Sequence, residues 1–312
     1  MRYTGWNGIR GDKGAGLDFR GYRMEEGMAG KLYLCATPIG NLEDITLRVL
    51  RILREADLIA AEDTRNSIKL LNYFEIHTPM TSYHEYNKID KGHKLVEKML
   101  AGTVVALITD AGTPGISDPG EELVRMCLEA GVPVTSVPGP AACIAALTMS
   151  GLPARRFAFE AFLPADKKDR RAVLEEMSEE TRTMVLYEAP HRLVRTLEEL
   201  SGVLGEERPA AICRELTKRH ETLFSATLGE ALAHYRIQEP RGECVLVVAG
   251  RSRRELESDR RRVWQEMSVE EHMAYYESQG IGNKEAMKLV AKDRGVPRRE
   301  VYAYLVERKT DA

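Results

Sequence analysis

Between residues 31 and 152, short apolar runs closed by glycine- and proline-rich loops alternate with segments of helical periodicity, and no other feature restricts the fold as much. Lys31–Ala36 reads as a buried strand. Asp44 is placed to cap a helix on which Ile45, Val49, Ile52 and Ala56 follow the 3.6-residue period. Strands are expected over 57–61, 103–109 and 132–137, the middle one being the most apolar, and helices over 67–74, 91–100, 121–130 and 141–149. Repeated βα units imply a parallel sheet with helices on both faces. Ligands of such sheets lie beyond the carboxyl ends of the strands.

Three loops fall at that place: Thr37-Pro38-Ile39-Gly40-Asn41, the stretch from Asp110 to Gly120, and Pro138-Gly139-Pro140-Ala141-Ala142. Glycine and alanine let backbone approach a ligand, and free N–H groups at helix starts suit an anion. Asp110, ending the strongest strand, could hold a hydroxyl or an amino group. Glycine and proline after a strand are also ordinary turn chemistry. Three such loops at one sheet edge favour a ligand. Neither GxGxxG nor GxxxxGK[ST] occurs, so dinucleotide and nucleoside-triphosphate readings lose their main support.

A second α/β domain, expected as a mixed sheet, spans 153–250. Its strands are predicted at 157–162, 183–187, 210–213 and 242–249, and its helices at 169–177 and 191–200. Two sheet domains in series leave a cleft between them, a common ligand location. Residues 251–312 read as a charged linker, with six arginines against three acids over 251–262, and a helical module over 269–277, 283–293 and 299–306. A turn at Gly295-Val296-Pro297 gives the last two helices a helix-turn-helix outline, with Lys284, Lys288, Lys292, Arg294, Arg298 and Arg299 around it. Such a basic face docks RNA phosphates or is a solvated surface of a packing appendage. Residues 1–30, with eight glycines and five basic against four acidic residues, are expected to be a disordered tail, with Met24 or Met28 as candidate biological starts.

The 312 residues are 43% hydrophobic, enough for packed cores, and the net charge of −3 argues against coating nucleic acid by bulk electrostatics. No apolar run reaches membrane-spanning length. The five cysteines, unpaired by spacing and set in apolar runs, fit small core residues in a reduced, cytoplasmic compartment. The seven histidines show no metal-ligand spacing, so no metal is expected.

Several strings then combine: ATPIGNLEDIT at 36–46, AAEDTR at 60–65, TDAGTPGISDPG at 109–120, VPGPAA at 137–142, FLP at 162–164, YEAPHR at 187–192, RELTK at 214–218 and GECVLVV at 242–248. Over about 31–250 the chain resembles the RsmI family, the bacterial 16S ribosomal RNA cytidine 2′-O-methyltransferases of the tetrapyrrole-methylase superfamily. One departure is Tyr86, where that family usually shows histidine. The resemblance implies S-adenosylmethionine in the interdomain cleft and a homodimer. Its substrate would be a decoding-region cytidine within the small (30S) ribosomal subunit. By position it places Pro38, Ile39, Asp110, Gly112, Ser117, Ala142 and Cys143 at the cofactor, with Tyr187, Leu216 and Glu243 from the second domain. The family also carries a C-terminal helical module, which favours RNA docking by that segment.

Methyl transfer from a sulfonium requires alignment of the accepting oxygen and exclusion of water. A ribose 2′-hydroxyl is a weak acid, which a positioned base or cation would assist. Candidates on the second-domain loops are Glu188, His191, Arg192, Glu215 and Lys218, with Glu188 and Lys218 taken as the catalytic pair. Each also has a structural reading: Glu188–Arg192 as a salt-bridged helix start, Lys218 as a solvated loop lysine. Two other functions compete, a tetrapyrrole (precorrin) methyltransferase sharing the fold and a non-catalytic nucleic-acid-binding regulator.

Overall fold

The computed structural model describes residues 30–252, 255, 258, 264 and 266–310, with backbone alone for 307–310. The tail over 1–29, with both candidate start methionines, and most of the arginine-rich linker lie outside the described residues. Gly30, grouped above with the tail, is instead packed: a Cβ there would stand 2.2 Å from the Met99 carbonyl oxygen.

The chain divides into two compact units that part between Pro140 and Ala141. In the first, β1 (Lys31–Cys35), β2 (Leu58–Ala61), β3 (Met80–Ser82), β4 (Val104–Ile108) and β5 (Val134–Val137) form a parallel sheet ordered β3-β2-β4-β1-β5. Alternate residues of these strands feed two cores. Leu32, Leu34, Val105 and Leu107 pack with Leu95 and Met99 of α3 (Lys88–Leu100) and Leu123 of α4 (Gly120–Glu129). Cys35, Ala106 and Ile108 pack with Val49 and Leu53 of α1 (Leu47–Glu55) and Leu71 of α2 (Thr64–Tyr73). Burial of each larger side chain stabilises by about 1.5–3 kcal/mol, so both faces must be covered, as the apolar strands predicted. The start of α1 differs from expectation. Asp44 lies in a short 3-10 turn, and Thr46 is the N-cap, accepting from the Val49 N–H at 3.2 Å.

In the second unit, α5 (Ala142–Met149) precedes β6 (Phe157–Phe162), α6 (Lys167–Ser178), β7 (Thr183–Glu188), α7 (Pro190–Leu204), β8 (Pro209–Arg214), β9 (Thr222–Thr227), α8 (Leu228–Ile237) and β10 (Cys244–Val248). The sheet order is β6-β7-β10-β8-β9; β6 and β7 are parallel and the other neighbours antiparallel, so the sheet is mixed as expected. One face packs Met184, Leu186, Ile212 and Leu246 against α6, α7 and α8. On the other, α5 lies against β7 and β10, and the Cys213 thiol reaches the Ala146 carbonyl at 3.9 Å. The sequence reading put α5 at the end of the first domain; in the structure its packing partners belong to the second sheet.

The module helices Val269–Ser278, Asn283–Arg294 and Arg298–Thr310 pack around Met273, Ala286, Val290 and Val301. Gly295, left-handed at φ 66°, closes the middle helix. Among the described residues no helix is long and apolar enough to cross a membrane.

Candidate functional site

In the first unit β1 lies between β4 and β5, so the loops after these three strands are neighbours. Backbone ties them together. Thr37 and Gly112 exchange two hydrogen bonds, 2.8 and 3.0 Å, and the Thr37 hydroxyl donates to the Thr109 carbonyl at 3.2 Å. The Thr113 hydroxyl donates to the Pro140 carbonyl at 2.8 Å. Gly112 sits at φ 85°, and a Cβ there would come within 3.3 Å of Ile39 Cγ2. The positive φ favours glycine here, and a side chain would press on Ile39.

The 110–120 loop is shaped from within by Asp118, whose carboxylate accepts from the N–H groups of Gly115, Ile116 and Gly120 at 2.7–3.1 Å. Its apex residue Ser117 adopts φ 64°, unusual for a residue with a side chain. The Asp110 carboxylate is exposed; Asn66 Nδ2 approaches it at 3.5 Å, beyond good hydrogen-bond length, and it interacts electrostatically with Arg65. The EDTR string is a support: Glu62 accepts from the Thr109 hydroxyl at 2.7 Å, and Asp63 caps α2 while pairing with Arg65. Hydrogen bonds from Arg65 hold the Asp63 carboxyl at about 2. The structure therefore brings Pro38, Ile39, Asp110, Gly112 and Ser117 to one edge.

In the second unit, antiparallel pairing sets Cys244, at the start of β10, opposite both Glu188 and Arg214. Tyr187, Glu188, Leu216, Lys218 and Glu243 thus gather at one end of the sheet. Ala142 and Cys143 join them, because the Cys143 N–H donates to the Tyr187 hydroxyl at 3.2 Å. Burial pushes that phenol well above its usual pKa. Phe159 and Phe162 meet the Tyr187 ring edge-on, with centroids at 5.0 and 5.6 Å.

The two residues taken as catalytic have different surroundings. Glu188 is 2% exposed. Its Oε1 accepts from the Ala189 N–H at 2.9 Å and Arg192 Nε at 2.8 Å, and its Oε2 from the Thr196 hydroxyl at 2.5 Å. A proton acceptor must reach the proton it takes. This carboxylate is turned inward and occupied, surroundings that suit a positioning group rather than a proton acceptor; its partner Arg192 has its guanidinium 5.9 Å over the Phe162 ring. Thr196 is shared with Arg170, a buried residue on α6 that also pairs with Glu199. Nothing in the sequence pattern marked Arg170 for this role.

Lys218 bridges two carboxylates, Glu215 at 3.1 Å and Glu243 at 3.0 Å. Burial opposes its charge, but hydrogen bonds to Glu243 and Glu215 outweigh this and raise its pKa, so it is a fixed cation. Glu215 and Thr217 hold it there at positive φ, 50° and 63°. Gly242 (φ 78°) makes room, since a Cβ would fall 2.2 Å from Glu215 Oε1. Among the described residues, Arg214 Nε and Thr217 Oγ1 are buried beside this clamp without a hydrogen-bond partner, which the sequence reading did not single out. Buried thiols are poor nucleophiles here: Cys35, Cys127 and Cys244 are pushed up to about 12 and Cys213 to about 11 by burial.

In the first unit an exposed carboxylate at Asp110 stands beside the Gly112 cradle; in the second, Glu215 and Glu243 hold the Lys218 cation. Comparison with known proteins agrees with the resemblance read from the sequence. The family model "Tetrapyrrole (Corrin/Porphyrin) Methylases" matches residues 31–232. A protein named ribosomal RNA small subunit methyltransferase I from Halalkalibacterium halodurans is 47% identical over 273 residues, 88% of this chain and 93% of its own. The protein of that name from Bacillus subtilis is 44% identical with the same two coverages. Among solved structures, the Thermus thermophilus uroporphyrin-III C-methyltransferase complexed with S-adenosyl homocysteine is similar at 25% identity and TM-score 0.51, covering 70% of this chain and 97% of its own. A diphthine synthase shares the fold, with TM-score 0.54 and 16% identity over 70% of this chain and 90% of its own.

Proposed function

The chain belongs to the ribosomal RNA small subunit methyltransferase I family of the tetrapyrrole methylases, and from that premise we propose that it methylates the ribose 2′-oxygen of a cytidine in the decoding region of 16S ribosomal RNA within the small subunit. It is an S-adenosylmethionine-dependent methyltransferase. The observation that carries the reading is the backbone bridge between Thr37 and Gly112, which ties the loops after β1 and β4 together beside the exposed Asp110 carboxylate.

The cofactor supplies an electrophilic methyl group when bound. Pro38, Ile39, Gly112 and Ser117 would hold it from the first unit, with Asp110 accepting a hydroxyl or amino group. Ala142, Cys143, Tyr187, Leu216 and Glu243 would hold it from the second. Lys218, kept protonated by Glu215 and Glu243, favours negative charge on an accepting oxygen electrostatically rather than by taking its proton. Glu188 acts one step back by orienting Arg192. The working unit is a cytoplasmic homodimer, with the first unit up to Pro140 as the cofactor domain, the second sheet with α5 as the second domain and residues 251–312 as the linker and helical module.

The test is incubation with methyl-labelled S-adenosylmethionine and either small ribosomal subunits lacking the modification or a precorrin. Label in ribose of the ribosomal RNA is expected. Label in the precorrin alone would establish the tetrapyrrole reading instead. Failure to bind S-adenosyl homocysteine in calorimetry would favour a non-catalytic regulator.

A further inference from the structure

The helical module takes no part in the chemistry above, yet its cations are unevenly arranged. Residues 283–299 hold six lysines and arginines against two acids, Glu285 and Asp293. Three of these cations differ in role from the other three. Arg294 turns inward, donating to the Met267 and Ser268 carbonyls and to His272 Nδ1, so the basic face expected from the sequence loses a member. Lys288 pairs with Glu285 at 2.8 Å. Lys292 is exposed near the end of its helix. Lys284, Arg298 and Arg299 instead line one open groove of about 390 Å³, together with Asn283, Met287 and Tyr302. Lys284 and Arg299 form no ion pair among the described residues. Tyr302 keeps 59% of its surface exposed, whereas Met287 is buried at 8% and forms an apolar floor.

We propose that this groove seats an unpaired RNA segment, with a phosphodiester among Lys284, Arg298 and Arg299 and a base stacked on Tyr302. The proposal deepens the reading of the substrate as RNA and rests on it. Three cations alone would suit any anion. The exposed aromatic ring beside them selects a polyanion that carries planar, apolar faces. A duplex keeps its bases stacked inside, where Tyr302 has nothing to meet, so the fitting partner is single-stranded. The volume lies within the range of about 300–1,000 Å³ usual for pockets that recognise small groups, enough for one nucleotide of a longer strand.

The experiment measures anisotropy of a short fluorescein-labelled oligocytidylate with the full-length chain at several KCl concentrations. For the Lys284→Gln/Arg299→Gln variant the slope of log Kobs against log[salt] should fall in magnitude by about 0.7, the value for one lost phosphate contact on a single strand. For Tyr302→Ala affinity should drop about 5- to 150-fold with the slope unchanged. These side chains are exposed, and circular dichroism checks that both variants remain folded. Wild-type affinity and slope in the double variant overturn the proposal. So does a silent Tyr302→Ala together with equal competition by polyglutamate, which would make the groove a peptide site. S-adenosyl homocysteine affinity, read in parallel by calorimetry, separates the two readings. Its retention alongside a negative groove result sinks only the groove, and its absence in wild type sinks the methyltransferase reading.

Discussion

Replacing Glu188 by Gln separates a positioning carboxylate from a catalytic one. The native carboxylate is 1% exposed at its side chain and accepts three hydrogen bonds, from the Ala189 N–H, Arg192 and Thr196. A glutamine can keep its oxygen toward Ala189 and Arg192, which places its amide NH2 against the Thr196 hydroxyl. That hydroxyl already accepts from Arg170 Nη2 at 2.8 Å. It can accept a second bond, but its own proton then loses its partner. The loss is one charge-assisted hydrogen bond, about 1.5–3 kcal/mol. The weakened pairing with Arg192 adds little, because that side chain is 35% exposed and water screens the pair. Urea unfolding should therefore show destabilisation of about 2 kcal/mol. Methyl transfer to small subunits should keep kcat within about tenfold of wild type. A general base removed this way would cost about 10²–10⁴ in rate. Unchanged stability with a hundredfold loss of kcat would refute the reasoning.

Three further substitutions probe other parts. Gly112→Ala strains a residue at φ 85° and crowds Ile39, costing about 1 kcal/mol or more of local stability, and should weaken S-adenosyl homocysteine binding in calorimetry; unchanged affinity would remove Gly112 from the cofactor site. Gly242→Ala drives a methyl against the Glu215 carboxylate, so the Lys218 clamp should open and labelled-methyl incorporation fall, while cofactor affinity changes less. His272 has no exposed surface and its pKa is lowered by burial and by Arg294, so the folded chain binds fewer protons there than the unfolded one. The stability it contributes is full above the unfolded value of about 6.5 and is lost as pH falls through the lower folded value. Trp264, stacked on that ring at 4.0 Å, should report the loss by fluorescence in a Trp6→Phe background, and His272→Phe should abolish the transition.

Much of the architecture was legible locally. Val104–Ile108 is apolar throughout and became the central strand β4, because a parallel strand buried on both faces needs no alternation. The loops after β1, β4 and β5 were legible too, since turn chemistry after a strand is written in glycine and proline. The edge elements were not. Met80–Ser82 has only three residues, none fully buried, and Thr222–Thr227 is an exposed edge strand whose mixed composition resembles a loop. The helix Leu228–Ile237 behind it went unread for the same lack of a clear apolar stripe.

The sequence by itself determined the central strands and the helices with a clear apolar stripe, the loops that follow those strands, and the methylase pattern those loops carry. Tertiary structure alone decided allegiance and side-chain surroundings. α5 is apolar on nearly every side, so no stripe told which sheet it would cover; contact with β7 and β10 settled that. Glu188 and Lys218 look equally reactive in a string of letters. One became a buried, saturated acceptor and the other a cation clamped between two carboxylates, because burial and the Glu243 partner are supplied by strands that meet only in the folded sheet.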